Sequence, residues 1–259
     1  MMHNFFKFKL NLLITGLCCI TAASGQVAQS NIVDKLWTAI GGKENWQNAR
    51  YFMFSCIGGD DHSFAQGERK YLWDKQSGNC RFEGMTTDDE AIIALFNIKT
   101  TKGTVYINGV KLDNPRTTAD IILEIITEFD RDARLLFLPT ILEGDGASYA
   151  IAGEKLVGSQ RFTVIDVKNR KTSFEVAVEG QLYVDTQTGE VLQWRPSQDA
   201  NQFYIGGFKD IGGGLILPTH FKGTDTTSSI TYPLAAALVN IEAQKFNTPL
   251  AAVFPPVGL

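Results

Sequence analysis

The chain is poor in the residues on which catalytic and metal sites are usually built. Its 259 residues include three histidines, His3, His62 and His220. None has a second histidine or a cysteine at zinc-ligand spacing. No H-E-x-x-H helix, G-x-S-x-G elbow or phosphate-binding loop is present. Gly144-Asp145-Gly146 lacks the third glycine and the preceding strand of a dinucleotide fingerprint, and reads as a loop. A hydrolase triad could draw only on His62 and His220 once an exported chain has lost His3. Basic side chains are also scarce, 24 against 28 acidic for a net charge of −4. That excludes the basic face that nucleic acid requires. No apolar run reaches the ~20 residues of a spanning helix. All eight prolines follow residue 114, mostly at element ends such as Pro139, Pro196 and Pro218, where a missing N–H does least harm.

The longest apolar stretch, Leu10–Ala23, belongs to an amino-terminal leader. Lys7 and Lys9 give it a positive start, and Ala22-Ala23-Ser24-Gly25 supplies small residues before Gln26. Residues 1–25 therefore read as a cleaved secretory signal, and 26–259 as one exported domain, periplasmic or secreted. Cys18 and Cys19 match a lipidation site poorly, because neither follows a small residue. Without the leader the basic count falls from 24 to 22 while the acids stay at 28, so the net charge becomes −6. Two cysteines remain, Cys56 and Cys80. In an oxidising compartment they are either a disulfide closing a loop of about 25 residues or two separate buried thiols, with a slight lean to the bridge.

Ser30 and the apolar positions Ile32, Val33, Leu36, Trp37 and Ile40 predict an opening helix stopped by Gly41-Gly42. Short β-rich runs follow, separated by Gly58-Gly59-Asp60-Asp61, Asp74–Gly78, Gly103 and Asn108-Gly109. Ala91–Lys99 reads as strand, although Thr87-Asp88-Asp89-Glu90 could cap a helix over Ala91–Asn97. Thr117–Phe129 is a clear amphipathic helix. Ile121, Ile122, Ile125, Ile126 and Phe129 lie on one face, and Asp120, Glu124 and Glu128 on the other as a solvated row. A second helical stretch, Arg131–Leu138, ends at Pro139. From Ser148 onward the chain returns to strands joined by tight turns. The spacing of eight to twelve residues describes an antiparallel meander, hence a barrel or half-barrel of α+β class.

Several strands carry large apolar groups on both faces. Tyr51 and Met53 alternate with Phe52 and Phe54, Leu72 sits between Tyr71 and Trp73, and Phe162 and Val164 alternate with Ile165 and Val167. Such strands must be covered twice, by a helix on one side and by core or ligand on the other.

Ordered pieces of the chain are shared with a known group. They are Ile32-Val-Asp-Lys35, Ile40-Gly-Gly-Lys-Glu-Asn-Trp46, Tyr71-Leu-Trp-Asp74, Leu95 through Gly103 with Ile107-Asn-Gly109, Arg134 through Pro139, Tyr183 through Gly189 with Trp194, and Leu217-Pro218. Together they resemble a family of exported bacterial proteins similar to the periplasmic outer-membrane lipoprotein carriers, the Lol-like proteins. The resemblance implies a half-open antiparallel barrel of about ten or eleven strands, plugged on its concave face by an amino-terminal helix and a helical insert. It also implies an apolar interior for acyl chains and no enzymatic activity. The carriers depend on a cavity arginine, whose nearest counterpart here is Arg134, on the insert rather than on an early strand. The expected role is then a non-catalytic binder or carrier of lipid, acylated or other hydrophobic ligands, with no cofactor and no metal. Its partners would be a hydrophobic ligand or an acylated protein. The candidate lining is Phe52, Phe54, Tyr71, Trp73, Phe162 and Trp194 on strands, and Ile122, Ile126, Phe129 and Phe137 on the Thr117–Leu138 insert that gates them. The alternative is an envelope interaction module with a filled core.

Overall fold

The computed structural model describes residues 31–59, 64–143, 147–169, 178–197, 202–224, 228–250 and 253–254. The leader with Cys18 and Cys19, the cap residue Ser30, the loop containing His62 and Gly144–Gly146 lie outside them. Helix α1 (residues 31–39) ends where sequence predicts: the Gly42 N–H donates to the Trp37 carbonyl at 2.7 Å, and both glycines take positive φ. Helix α2 (Lys43–Asn48) follows at once.

Five strands then run as a meander, β1 (Tyr51–Gly58), β2 (Ala65–Asp74), β3 (Asn79–Thr86), β4 (Ala91–Asn97) and β5 (Lys102–Ile107), ending in the short β6 (Val110–Lys111). Ala91–Asn97 is strand, as tight turns on either side require. Helix α3 (Pro115–Leu136) crosses to the second half of the sheet. It is one continuous helix where sequence suggests two. It also begins earlier, because the Asn114 side chain accepts from the Arg116 and Thr117 N–H groups and Pro115 occupies the first helical position. A 3-10 turn (Leu138–Thr140) ends it at Pro139.

The second half comprises β7 (Ala147–Val157), β8 (Gln160–Asn169), β9 (Val178–Asp185), β10 (Val191–Pro196), β11 (Phe203–Gly206), β12 (Lys209–Gly212), β13 (Leu215–Leu217), β14 (His220–Gly223), β15 (Ser229–Thr231) and β16 (Ala235–Leu238). There are more strands than the expected ten or eleven, in part because β6, β15 and β16 are short separate strands and because two runs read as single strands are broken. One breaks at Gly207 between β11 and β12, the other at Pro218 between β13 and β14.

Fourteen strands form one antiparallel sheet in the order β6-β5-β4-β3-β2-β1-β15-β14-β11-β10-β9-β8-β7, with β16 pairing β1. The sheet does not close, because β6 and β7 are its two ends. Its inner face and helices α1, α2 and α3 share one large apolar core. The outer face of β1 and β2 carries a separate cluster of Met53, Leu72 and Val253, covered by Leu238, Ile241 and Phe246 of the carboxy-terminal segment. Buried Arg81 pins that segment, donating from Nη1 to the Lys245 and Thr248 carbonyls at 3.2 and 2.7 Å and from Nη2 to Pro249 at 3.0 Å. The doubly apolar strands are thus covered on both faces by the chain itself.

Candidate functional site

Strand register lays two rows of side chains across the inner face. One row runs Phe54, Tyr71, Phe82, Ala94 and Val105; the next runs Phe52, Trp73, Cys80, Phe96 and Gly103. Helix α3 lies against this floor with Ile122, Ile125, Phe129, Ala133 and Leu136 buried. Phe129 is wedged among Tyr71, Trp73 and Phe54, with ring centroids 5.5, 5.5 and 6.0 Å away. Phe137, just past the helix end, sits 5.0 Å from Phe52 edge-on, 5.8 Å from Trp73 and 5.4 Å from Trp46 of α2. Edge-to-face geometry of this kind adds about 0.5–1.5 kcal/mol per pair to the burial itself.

One polar cluster is built into this apolar interior. Arg69 of β2, next in line after Tyr71 and Trp73 on the inward face, is 4% exposed. Its Nε and Nη2 donate to the two carboxylate oxygens of Asp132 on α3 at 2.7 and 3.0 Å. The same Nη2 reaches the Gly58 carbonyl at 2.7 Å and the Cys56 sulfur at 3.3 Å. The Tyr71 hydroxyl donates to Asp132 Oδ2 at 2.9 Å, and the Tyr232 hydroxyl to the Asp132 carbonyl at 2.6 Å. One turn earlier on α3, Glu128 accepts from the Phe64 N–H at 2.8 Å and pairs with Arg131 at 2.6 Å.

Burial alone would lower the Arg69 pKa, but the hydrogen bonds and charge of Asp132 outweigh it and hold the guanidinium more firmly protonated. Burial, reinforced by the Asp132 charge, pushes the Cys56 thiol and the Tyr71 phenol upward, so both stay neutral. A raised thiol is a poor nucleophile. The pair therefore fastens α3 to the sheet. Such a pair stabilises little beyond a well-packed apolar isostere but fixes how the helix is seated.

Eight of the ten candidate lining residues, Phe52, Phe54, Tyr71, Trp73, Trp194, Ile122, Phe129 and Phe137, meet in the main core, and Ile126 packs at its margin. Phe162 does not. It pairs with Asp185 on the outer face and clusters there with Val164 and Tyr183, because β8 turns Thr163, Ile165 and Val167 inward. The suggested Cys56–Cys80 bridge is also corrected, since both cysteines are free buried thiols. Cys56 pairs with Arg69 and Cys80 with Trp73, four positions further along β2. That separates them by roughly 13 Å along the strands, far beyond the ~7 Å a disulfide can span.

Of the acidic row, Asp120 and Glu124 are exposed, but Glu128 is buried at 3% exposure and faces Phe64 and Arg131. Arg134 is half-buried, its pKa lowered by burial, and carries no latch. Two arginines are buried on early strands, Arg69 on the inner face of β2 and Arg81 on β3 under the carboxy-terminal segment. Alternation could have found the first, since Arg69, Tyr71 and Trp73 occupy every second position. Asp132 likewise falls three residues after Phe129, on the helix face turned to the sheet. His220 is exposed on β14, its Nδ1 3.1 Å from the Thr219 hydroxyl. Among the described residues no three His, Cys, Asp or Glu side chains are placed to hold a metal ion. No described helix is long and apolar enough to cross a membrane.

Fold and site together define an open antiparallel half-barrel whose hollow is filled by a latched helix. No protein-family model and no curated protein matches the chain. Among solved structures it is similar to a LolA superfamily protein from Nitrosomonas europaea, with 11% identity and a TM-score of 0.42 over 85% of this chain and 96% of that one. It is also similar to an outer membrane lipoprotein-sorting protein domain from Vibrio parahaemolyticus, with 9% identity and a TM-score of 0.39 over 79% and 94%. A third is the lipoprotein LppX from Mycobacterium tuberculosis, with 8% identity and a TM-score of 0.31 over 82% and 99%.

Proposed function

We propose that this chain is an exported, non-catalytic binder or carrier of acyl chains or similarly apolar groups, working as a single domain in the cell envelope. The observation that carries the reading is the seating of α3. Its apolar side chains Phe129, Leu136 and the adjoining Phe137 occupy the inner aromatic floor as a removable ligand would, while Arg69–Asp132 fixes the helix in place. In this state the helix is its own occupant. Withdrawing α3 would expose Phe52, Phe54, Tyr71 and Trp73 to a ligand.

Energetics set the size of ligand that such an exchange needs. Each large side chain withdrawn costs about 1.5–3 kcal/mol, and an acyl chain regains ~0.8 kcal/mol per buried CH₂. Opening the buried Arg69–Asp132 pair adds a cost of about 3–5 kcal/mol, so a long acyl chain is needed to offset withdrawal of the helix. Supporting this reading are the open sheet and a latch that joins a helix to a strand rather than two strands.

A second reading, an envelope interaction module with a permanently filled core, is favoured by the burial of Phe54, Tyr71 and Phe129 at 0% exposure. Native mass spectrometry with organic extraction, together with titration of a fluorescent fatty acid, separates them. Co-purified lipid or saturable fatty-acid binding supports the carrier. Neither lipid nor binding leaves the filled module.

A further inference from the structure

The seam between α3 and the β5 edge differs from the other surface grooves. It holds a cavity of about 320 Å³, in the range of small-ligand sites, lined by Gly103, Leu112, Ala119 and Ile122 alongside Thr101, Thr104 and Thr118. Gly103 ends the inner row that begins with Phe52 and Trp73, and it is exposed while Phe96 beside it is buried. A side chain at this position would meet the Leu95 carbonyl at 2.3 Å, so the backbone keeps the end of the row bare. The inner row therefore ends at an exposed position beside α3.

At the lip stand Lys102 and Lys111, with Asp113 as the single acidic lining residue. Neither ammonium group forms an ion pair among the described residues. By contrast, the larger groove over β7–β10, about 630 Å³, mixes both signs, with Lys168 paired to Glu179 and with Asp166 and Arg195 also in its lining. Two unmatched lysines around an apolar slot, on a chain of net negative charge, are complementary to an anionic head on an apolar tail.

We infer that the α3–β5 seam is the mouth of the hollow, and that it takes a single-chain amphiphile with an anionic head held by Lys102 and Lys111. This rests on the carrier reading above and adds the class of ligand to it. The tail enters beside Gly103 toward the Phe96–Trp73 row as α3 withdraws, and the head stays at the wet margin, so no charge has to be buried.

The test is equilibrium binding of dodecanoate, dodecyl phosphate, dodecyltrimethylammonium and dodecyl maltoside to the mature protein. A Lys102→Gln/Lys111→Gln variant and a Lys209→Gln/Lys222→Gln control accompany it, each checked for unchanged unfolding. The two anionic probes should bind about tenfold more tightly than the other two, since two rim ion pairs supply roughly that factor. The preference should fall with added salt and vanish in the seam variant but not in the control. A stronger response to dodecyl phosphate than to dodecanoate would assign the head as a phosphate, and the reverse as a carboxylate; either supports the inference. Equal binding of all four probes, or a preference that survives the seam variant, overturns it and leaves the carrier reading standing. Failure of every probe to bind overturns both.

Discussion

Arg69 on β2 and Asp132 on α3 meet as a bidentate pair, 2.7 and 3.0 Å apart and 63 residues distant in the chain. Because both ends are buried, removing Arg69 leaves the Asp132 carboxylate with the neutral Tyr71 hydroxyl, and removing Asp132 leaves Arg69 with the more distant Glu128, 3.6 Å from its Nε. Arg69→Leu or Asp132→Leu should each cost about 3–5 kcal/mol of unfolding free energy. The double variant should recover most of that loss, since two apolar groups can replace a buried pair. Denaturant unfolding of the four proteins measures this, and additive losses would show that the two side chains do not act together.

Three hairpin turns share one design, and one of them departs from it. Asp74 accepts from the Gln76 and Ser77 N–H groups, Asp185 from those of Gln187 and Thr188, and Asn97 from those of Lys99 and Thr100. The first two turns close on Gly78 and Gly189 with positive φ, but the third closes on Thr101 at φ 55°. A β-branched residue there is strained by about 1–2 kcal/mol, and glycine gives back part of the gain as chain entropy. Thr101→Gly should therefore raise stability by about 0.5–1 kcal/mol in thermal unfolding. Gly189→Ala should lower it, since its Cβ would lie 2.4 Å from the Lys35 carbonyl of α1.

Much of this arrangement is legible in the sequence. Gly41-Gly42, the turn at Asn108-Gly109 and the alternation Phe52, Phe54 or Tyr71, Trp73 mark elements and faces correctly, because turn chemistry and side-chain period are local. Phe162 defeats the same logic. On a strand apolar on both sides, nothing local tells Phe162 and Val164 from Ile165 and Val167, and only pairing with β9 fixes which set turns inward. Arg69 and Glu128 were legible as positions but not as partners. Each looks like a solvated charge until Asp132 or Phe64 is brought to it from another element. Cys56 and Cys80 share a face and a compartment, yet their register keeps them apart, which loop length cannot reveal.

Asp74 ties stability to pH. Burial alone would raise its pKa, but Arg50, Ser77 and the turn N–H groups bring it down from 3.8 to about 2. A depressed carboxylate stabilises fully above its unfolded value and loses that contribution as pH falls through the folded one. With screening through exposed Arg50, the contribution is about 1 kcal/mol. The stability gap between wild type and Asp74→Asn should be present at pH 5–7 and close between about pH 4 and pH 2. A gap that persists to pH 2 would assign the effect to packing instead.

The thiols give a chemical check on the register. Cys56 and Cys80 are free and buried. The folded mature protein, purified without reductant, should resist a thiol-labelling reagent and take up two equivalents once denatured. No labelling after denaturation would mean a bridge, and with it a different pairing of β1, β2 and β3.

The central claim is that α3 leaves the hollow when a ligand takes its place. Hydrogen exchange of the mature protein, followed by mass spectrometry with and without saturating fatty acid, measures it directly. The account expects residues 115–136 to lose amide protection on binding while the Phe52–Phe54 and Tyr71–Trp73 strands keep theirs. Saturable binding with α3 protection unchanged would contradict it, because the ligand would then sit on the outside of a core that never opens.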